Sequence, residues 1–224
     1  MILVFDMDDT LYDEMTFVKS GFRAVSRHLA TTFGAPEEAA YQLMLEELNR
    51  NGRGRIFNVV LEKYAKATKA NIKKCVTVYR LHQPEIQLNK DTLRCFERFS
   101  SYPLYVVTDG HKMVQHNKVV ALGLYEKVKK VFITYRYGLK HSKPSPYCFN
   151  KIVEREKCRP QDVVYIGDNP KKDFVGIKPL GFKTIRIKTG GFKDLAVSDE
   201  KKAHLSIQTL DDLTIDLLEE LKKI

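Results

Sequence analysis

Ile2-Leu3-Val4-Phe5-Asp6-Met7-Asp8-Asp9-Thr10 is the stretch from which the fold is read. Its first four residues are apolar and β-prone, as befits a strand buried on both faces of a sheet. Side chains two apart on an extended chain point the same way. Asp6 and Asp8 can therefore stand side by side at the carboxyl end of that strand, where open α/β sheets bind their ligands. Two anions so placed repel each other, and a cation or a shared proton must relieve them. A hard divalent ion with oxygen ligands, Mg2+, is the simplest solution. An Asp-rich stretch that only ends a strand and begins a turn would look the same, so the remainder of the chain has to decide.

After this strand the pattern turns helical. Val18, Phe22, Val25 and Leu29 recur at helical spacing, and Gly34 and Pro36 end that segment. Ala39, Ala40, Leu43, Met44 and Leu48 give a second helix, Ile56, Val59, Val60 and Tyr64 a third, and residues 72–81 a fourth. From Asp91 the pattern changes again. A helix over 91–99, with Leu93, Phe96 and Phe99 inward, precedes apolar β-rich runs at 104–108, 131–134, 163–167 and 184–187. Helices are expected between them at 111–122, 146–156 and 171–178. Such alternation calls for an α/β fold, a parallel sheet with helices on both faces. The opening strand must join that sheet. The chain is expected to divide into a core domain, 1–14 with 87–224, and a small helical cap domain, 15–86. A last helix is expected over 210–221, with Thr209 as its cap.

The chain has 224 residues, a net charge of +10 and 43% apolar content. These are the proportions of a globular protein that favours anionic ligands. Its Lys and Arg residues are scattered, without the basic stripe and interleaved aromatics of a nucleic-acid surface, so no nucleic-acid partner is expected. No stretch approaches the ~20 apolar residues of a membrane span, and the short apolar start has no basic region before it, so neither a membrane partner nor a signal peptide is expected. Cys75, Cys95, Cys148 and Cys158 form no CxxC pair. Free thiols in a reducing, cytoplasmic setting fit best.

Further polar groups lie at the expected strand ends. Thr108-Asp109-Gly110 offers a hydroxyl, free backbone N–H groups and the start of the next helix, all suited to a phosphate; a simple tight turn reads the same. Lys143 precedes Pro144, which biases it towards an extended conformation; it could face a site or solvent. Gly167-Asp168-Asn169-Pro170-Lys171-Lys172-Asp173 places one carboxylate at a strand end and another a turn or two later. Asp168 can ligate a metal, and Asp173 can orient the ligand shell or Lys143.

In order and in residue type these groups resemble the four motifs of the haloacid dehalogenase (HAD) superfamily. Asp6-Met7-Asp8-Asp9-Thr10 matches its DxDx(T/V) motif, Thr108 its second, Lys143-Pro144 its third and Gly167 to Asp173 its fourth. Gln115 to Leu124 (QHNKVVALGL) is similar to the helix after motif two. Asp109 departs from the family, where Asn is common, and makes that side of the site more acidic. The resemblance implies a Rossmann-like core of strand order 5-4-1-2-3, with a helical cap inserted after the first strand. It implies a Mg2+-dependent phosphatase acting on a small phosphorylated metabolite through an aspartyl-phosphate. Asp6 would be the nucleophile and Asp8 the acid and base. Thr108, Asp109, Gly110 and Lys143 would hold the phosphoryl group. Asp6, Asp168 and the backbone carbonyl of Asp8 would hold Mg2+, with Asp173 in support. A phosphomutase of the β-phosphoglucomutase type shares every one of these motifs, and a catalytically idle binding protein on the same fold is a third reading. The second acidic residue, Asp8, speaks against dehalogenation, because halide leaves without a proton. In the cap, Arg53 and Arg55 could contact the leaving group or be surface arginines. Substrate identity and oligomeric state stay open.

Overall fold

The computed structural model describes residues 1–224, all of the chain. In chain order its elements are β1 (Ile2–Phe5), α1 (Glu14–Phe33), α2 (Glu37–Asn51), α3 (Ile56–Lys63), α4 (Lys69–Leu81), α5 (Lys90–Arg98), β2 (Leu104–Thr108), α6 (Lys112–Ala121), α7 (Leu124–Lys127), β3 (Lys130–Ile133), α8 (Tyr147–Glu156), β4 (Val163–Gly167), β5 (Lys183–Ile187), β6 (Leu205–Ile207) and α9 (Ile215–Lys223). The six strands form one sheet of order β3-β2-β1-β4-β5-β6, and every pairing is parallel. Read from the other edge, this is the order 5-4-1-2-3 with one strand added beside β5. That added strand, β6, is only three residues long and is partly exposed, too short a run to stand out in the sequence.

β1 lies in the middle because its four residues are apolar on both faces, and all four are buried. Ile2 and Val4 pack with Tyr105, Val107, Val163 and Tyr165 on one face, under Phe149 and Ile152 of α8. Phe5 faces the other way and meets Phe96 of α5, ring centroids 5.5 Å apart. A parallel sheet carries its functional residues at the carboxyl ends of its strands, and here those ends are Asp6, Thr108 and Asp168.

The chain divides into two compact units, Met1–Glu14 with Gln87–Ile224, and Met15–Ile86. The second is the four helices α1 to α4, with a core of its own built from Val18, Phe22, Val25, Leu29, Met44 and Val60, among others. Within the first unit, the two points where the chain leaves and returns are fastened together. The Leu11 carbonyl accepts from Asn89 N at 3.1 Å and from Thr92 Oγ1 at 2.7 Å.

Three local expectations are corrected. Residues 171–178 are successive turns rather than a helix. Within these turns Gly176 lies close against the next loop: a Cβ there would lie 1.7 Å from the Pro144 carbonyl oxygen. Along α5 the inner face is Thr92, Cys95 and Phe96, followed by Phe99, while Leu93 is 46% exposed. Finally, the expected helix over 210–221 is split. Thr209 caps a single turn at Leu210–Asp212; Leu213 is extended, and Thr214 caps α9, its side chain accepting from Leu217 N. All four cysteines are free thiols, and no helix is long and apolar enough to cross a membrane.

The orientation of α5 has a measurable consequence. Phe99→Ala removes a fully buried ring and should cost ~3–5 kcal/mol. Leu93→Ala, on the solvent side, should stay within ~0.5 kcal/mol. Equal losses for the two in urea denaturation would contradict this packing.

Candidate active site

The four expected motifs converge at the carboxyl edge of the sheet. Asp6 leaves β1 on the face of Ile2 and Val4, next to Tyr165 of the adjacent strand. Lys143, in the loop before α8, reaches across to it. The Lys143 ammonium donates to Asp6 Oδ1 at 2.6 Å, Tyr165 Oη at 2.7 Å and Asp173 Oδ1 at 2.9 Å. It has three protons to give, and each has an acceptor. Lys143 is 6% exposed. Burial works to deprotonate it, but the charges of Asp173 and Asp6 overcome this and hold it in the charged form. Asp173 in turn accepts from Asn169 N at 2.9 Å, which folds the turns after β4 back onto the strand end. Gly167 makes room for this: a Cβ at that position would meet Asp173 Oδ2 at 2.5 Å.

Asp8 has a separate set of partners. Its carboxylate accepts from Lys118 Nζ at 2.7 Å, Gln115 Nε2 at 2.8 Å and Tyr12 Oη at 2.5 Å. Lys118 is buried, and its ammonium also lies 3.6 Å from Glu14. Burial alone would raise the pKa of Asp8, but the Lys118 charge and the three hydrogen bonds together pull it below the ordinary carboxylate range. The sequence calls for a cation or a shared proton to relieve Asp6 and Asp8. In the fold each has its own lysine.

The β2 end has its own set of contacts. Thr108 is fully buried, and its hydroxyl accepts from Gln115 Nε2 at 2.7 Å. The Asp109 carboxylate turns to the neighbouring loop, where it accepts from Thr134 Oγ1 and from Lys143 N at 3.1 Å and lies 3.7 Å from Lys172 Nζ. It pins the Lys143 backbone. Gly110 follows with φ 141°, a conformation that glycine adopts without strain.

The carboxylates of Asp6, Asp168 and Asp173 lie within 4.8 Å of one another and are all buried. Three carboxylates around one ammonium leave an uncompensated negative charge in a low-dielectric site. Burial, then the charges of Asp6 and Asp173, push Asp168 up to about 9. Burial also raises Asp6, against the opposing pull of Lys143. An all-oxygen donor set with excess negative charge fits a hard divalent cation. The Asp8 carboxylate is not among these groups.

Arg53 and Arg55 belong to the helical unit. Arg55 pairs with Glu62 at 2.9 Å on an exposed surface. Arg53 lines a cavity of about 270 Å³ within that unit, beside Phe57, Asn58 and Tyr79. Four residues of the site are not distinguished by the sequence reading. Tyr12 and Tyr165 read as apolar filling of a turn and a strand. Gln115 and Lys118 lie in the QHNKVVALGL stretch, and their spacing of three places them on one face of α6, a signal that points at Asp8 only once the fold is known.

A model of the haloacid dehalogenase-like hydrolase family matches residues 3–187 of the chain. The chain is 28% identical to the glyceraldehyde 3-phosphate phosphatase of Methanocaldococcus jannaschii, over 99% of this chain and 98% of that protein. Among solved structures, a HAD phosphatase from Thermococcus onnurineus is 25% identical with a TM-score of 0.61, over 96% of this chain and 97% of that one. The HAD-hydrolase YfnB of Bacillus subtilis, a structure bound to magnesium, is similar in fold, with 18% identity and a TM-score of 0.64 over 100% and 98% of the two chains.

The raised Asp168 sets the sign of a pH effect. A carboxylate whose folded pKa lies above its unfolded value of 3.8 contributes stability at low pH that is lost as pH rises. In EDTA, the melting temperature of the protein should fall between about pH 4 and pH 9. Asp168→Asn should flatten that fall, melt several degrees higher than the parent at pH 8, and respond less to added Mg2+. A lower melting temperature for Asp168→Asn in EDTA at pH 8 would mean that the charge is compensated in some other way.

Proposed function

The chain belongs to the haloacid dehalogenase-like hydrolases, and from that membership we propose that it is a Mg2+-dependent phosphatase which hydrolyses a small phosphorylated metabolite through an aspartyl-phosphate. The observation that carries this reading is the separation of the two N-terminal carboxylates. Asp6 faces one lysine and two more carboxylates, whereas Asp8 sits in a pocket of three donors.

Asp6 is the nucleophile in this reading. Its carboxylate attacks phosphorus, the new P–O bond forms on Asp6, and the bond to the leaving alcohol breaks. Lys143 orients the attacking carboxylate through its 2.6 Å contact, and Asp173 and Tyr165 hold the lysine in place. In this reading Asp8 takes up a proton from solvent as the phosphate dianion binds beside it and raises its pKa, gives that proton to the leaving alkoxide, and in the second step, ionised again, takes one from the water that cleaves the acyl phosphate. Asp6, Asp168 and the Asp8 carbonyl, with Asp173 beside them, would hold Mg2+, whose charge would offset that of the phosphoryl oxygens. The backbone N–H groups at Asp109 and Gly110 are the donors available to those oxygens at the β2 end, with Thr108 completing that strand end. Water, rather than a second hydroxyl of the substrate, takes the phosphoryl group; the phosphatase names of the relatives favour this over a mutase. The same names make glyceraldehyde 3-phosphate the first substrate to test.

Two sets of measurements test the reading, the first on turnover and on Asp6. Purified enzyme with Mg2+ should release phosphate from a triose phosphate or another small phosphate ester. Acid-quenched mass spectrometry should find an added phosphoryl group on the peptide containing Asp6. Asp6→Asn should abolish both; retained turnover, or a label on another peptide, would falsify the assignment.

The second concerns Lys118, a positioning residue for Asp8. An opposite charge this close lowers a carboxylate pKa by ~1–3 units. Lys118→Met should move the Asp8-dependent limb of the kcat/KM profile to higher pH by about that amount, and Lys118→Arg should restore it. An unmoved limb with a merely lower rate would assign Lys118 to packing alone.

A further inference from the structure

Away from the strand ends just described, the outer edge of the sheet carries a second concentration of charge. Arg186 is the fourth residue of β5 and pairs in register with Ser206 of β6. Lys188 and Gln208 lie two residues further on, so all four side chains fall on one face of these two strands. The segment 193–197 lies over that face, and between them is a cleft of about 690 Å³. Lys193 and Lys202 complete its wall. Four cations thus line the cleft against one carboxylate, Asp194. Lys202 is the one of the four with an ion pair of its own, to the exposed Asp199 at 2.6 Å.

Arg186 makes this more than a patch of surface lysines. It is 8% exposed, between Ile185 and Ile187, in a strand position that an apolar residue would fill at no electrostatic cost. One of its terminal nitrogens donates to the Phe192 carbonyl at 2.6 Å. Its Nε–H is buried and has no hydrogen-bond partner. A buried donor left unpaired is costly, more so on a charged group, so the folded chain carries a penalty that an acceptor in the cleft would remove. Guanidinium at the base with ammonium groups around it is the donor chemistry of phosphate recognition. The volume suits a small molecule, and the exposed Ser206 and Gln208 add neutral hydrogen-bonding groups at its edge.

We propose that this cleft is a binding site for a small phosphate-bearing anion, held by Arg186 from beneath and by Lys188, Lys193 and Lys202 from the sides. It is separate from the Asp6–Asp168 centre, uses none of its residues, and does not depend on the reaction proposed above. Arg186 meets the anion with its buried face and gives the site its geometry. The lysines supply most of the long-range attraction, so binding weakens as salt rises.

Inorganic phosphate and inorganic pyrophosphate serve as probes, titrated into ¹⁵N-labelled protein in EDTA and followed by amide shifts. Saturable shifts are expected at residues 188–197 and at Ser206, with pyrophosphate tighter than phosphate. Sodium chloride at matched ionic strength should not reproduce them. Lys188→Ala with Lys193→Ala, two exposed positions, should fold normally, weaken pyrophosphate at least tenfold and leave substrate hydrolysis unchanged. Arg186→Gln should remove the response at Ser206. Should Arg186→Gln fail to fold, the double lysine variant decides. Shifts confined to residues 6–10 and 108–110, an equal response to chloride, or undiminished pyrophosphate binding in the double variant would each overturn the proposal.

Discussion

The ammonium of Lys143 is the point on which the candidate site depends. It joins three loops: the one after β1 through Asp6, the one before α8 through its own backbone, and the turns after β4 through Asp173. Burying a charge is costly, and removing one partner of a buried pair typically costs ~3–5 kcal/mol. The surrounding sequence accordingly fixes both sides. Asp109 holds the Lys143 N–H, Asn169 N holds Asp173, and glycines at 167 and 176 remove the Cβ atoms that would keep the segments apart. Tyr165 is fully buried in the core while its hydroxyl reaches the ammonium, so the apolar core and the polar site are fastened by one side chain.

A second lysine does a different task at Asp8. Two carboxylates two residues apart in similar surroundings would titrate together. Here Asp6 is raised by burial despite Lys143, while Asp8 is lowered by Lys118 and three hydrogen bonds. Environments that push a pair of carboxylates in opposite directions give them different chemistry. Most of what lowers Asp8 comes from the helix that follows β2, with Tyr12 adding the third hydrogen bond. Gln115 and Lys118 on one face of α6 supply two of the three donors to Asp8.

Much of this order is legible in the sequence, for identifiable reasons. The strands from β1 to β5 announce themselves as short apolar runs because both faces of a parallel sheet are covered. The candidate ligands follow them directly, because in such a sheet the strand ends are where side chains from distant segments meet. What escapes is what depends on contact rather than on period. Leu93 fits the helical repeat of α5 yet faces solvent, because Thr92 is drawn inward by its hydrogen bond to the Leu11 carbonyl. The turns at 171–178 have helical composition, and the contact of Gly176 with Pro144 shows only in the fold. Tyr165 reads as one more apolar residue of a strand until its hydroxyl is placed. β6 is too short to carry a period at all, and with it Arg186 reads as an edge residue instead of the buried base of a cleft.

The saturation of Lys143 bears on how the proposed reaction could proceed. An ammonium with all three protons engaged has none to offer an incoming phosphoryl group. Binding of the substrate cannot therefore rest on Lys143 without breaking one of its contacts, and the contact to Asp6 is the one the chemistry itself weakens. In the proposed reaction the Asp6 oxygen bonds to phosphorus, and the carboxylate would become an acyl phosphate and lose its negative charge. Its hold on the ammonium falls while negative charge persists on the phosphoryl oxygens beside it. The third N–H can then pass from Asp6 to one of those oxygens as the bond forms, with Asp173 and Tyr165 keeping the lysine in place throughout. An interaction that strengthens along the reaction lowers the barrier, whereas one already complete in the ground state does not. On this account the short contact of Lys143 with Asp6 in the free protein is a store of oriented charge that the reaction transfers from the nucleophile to the group it attacks.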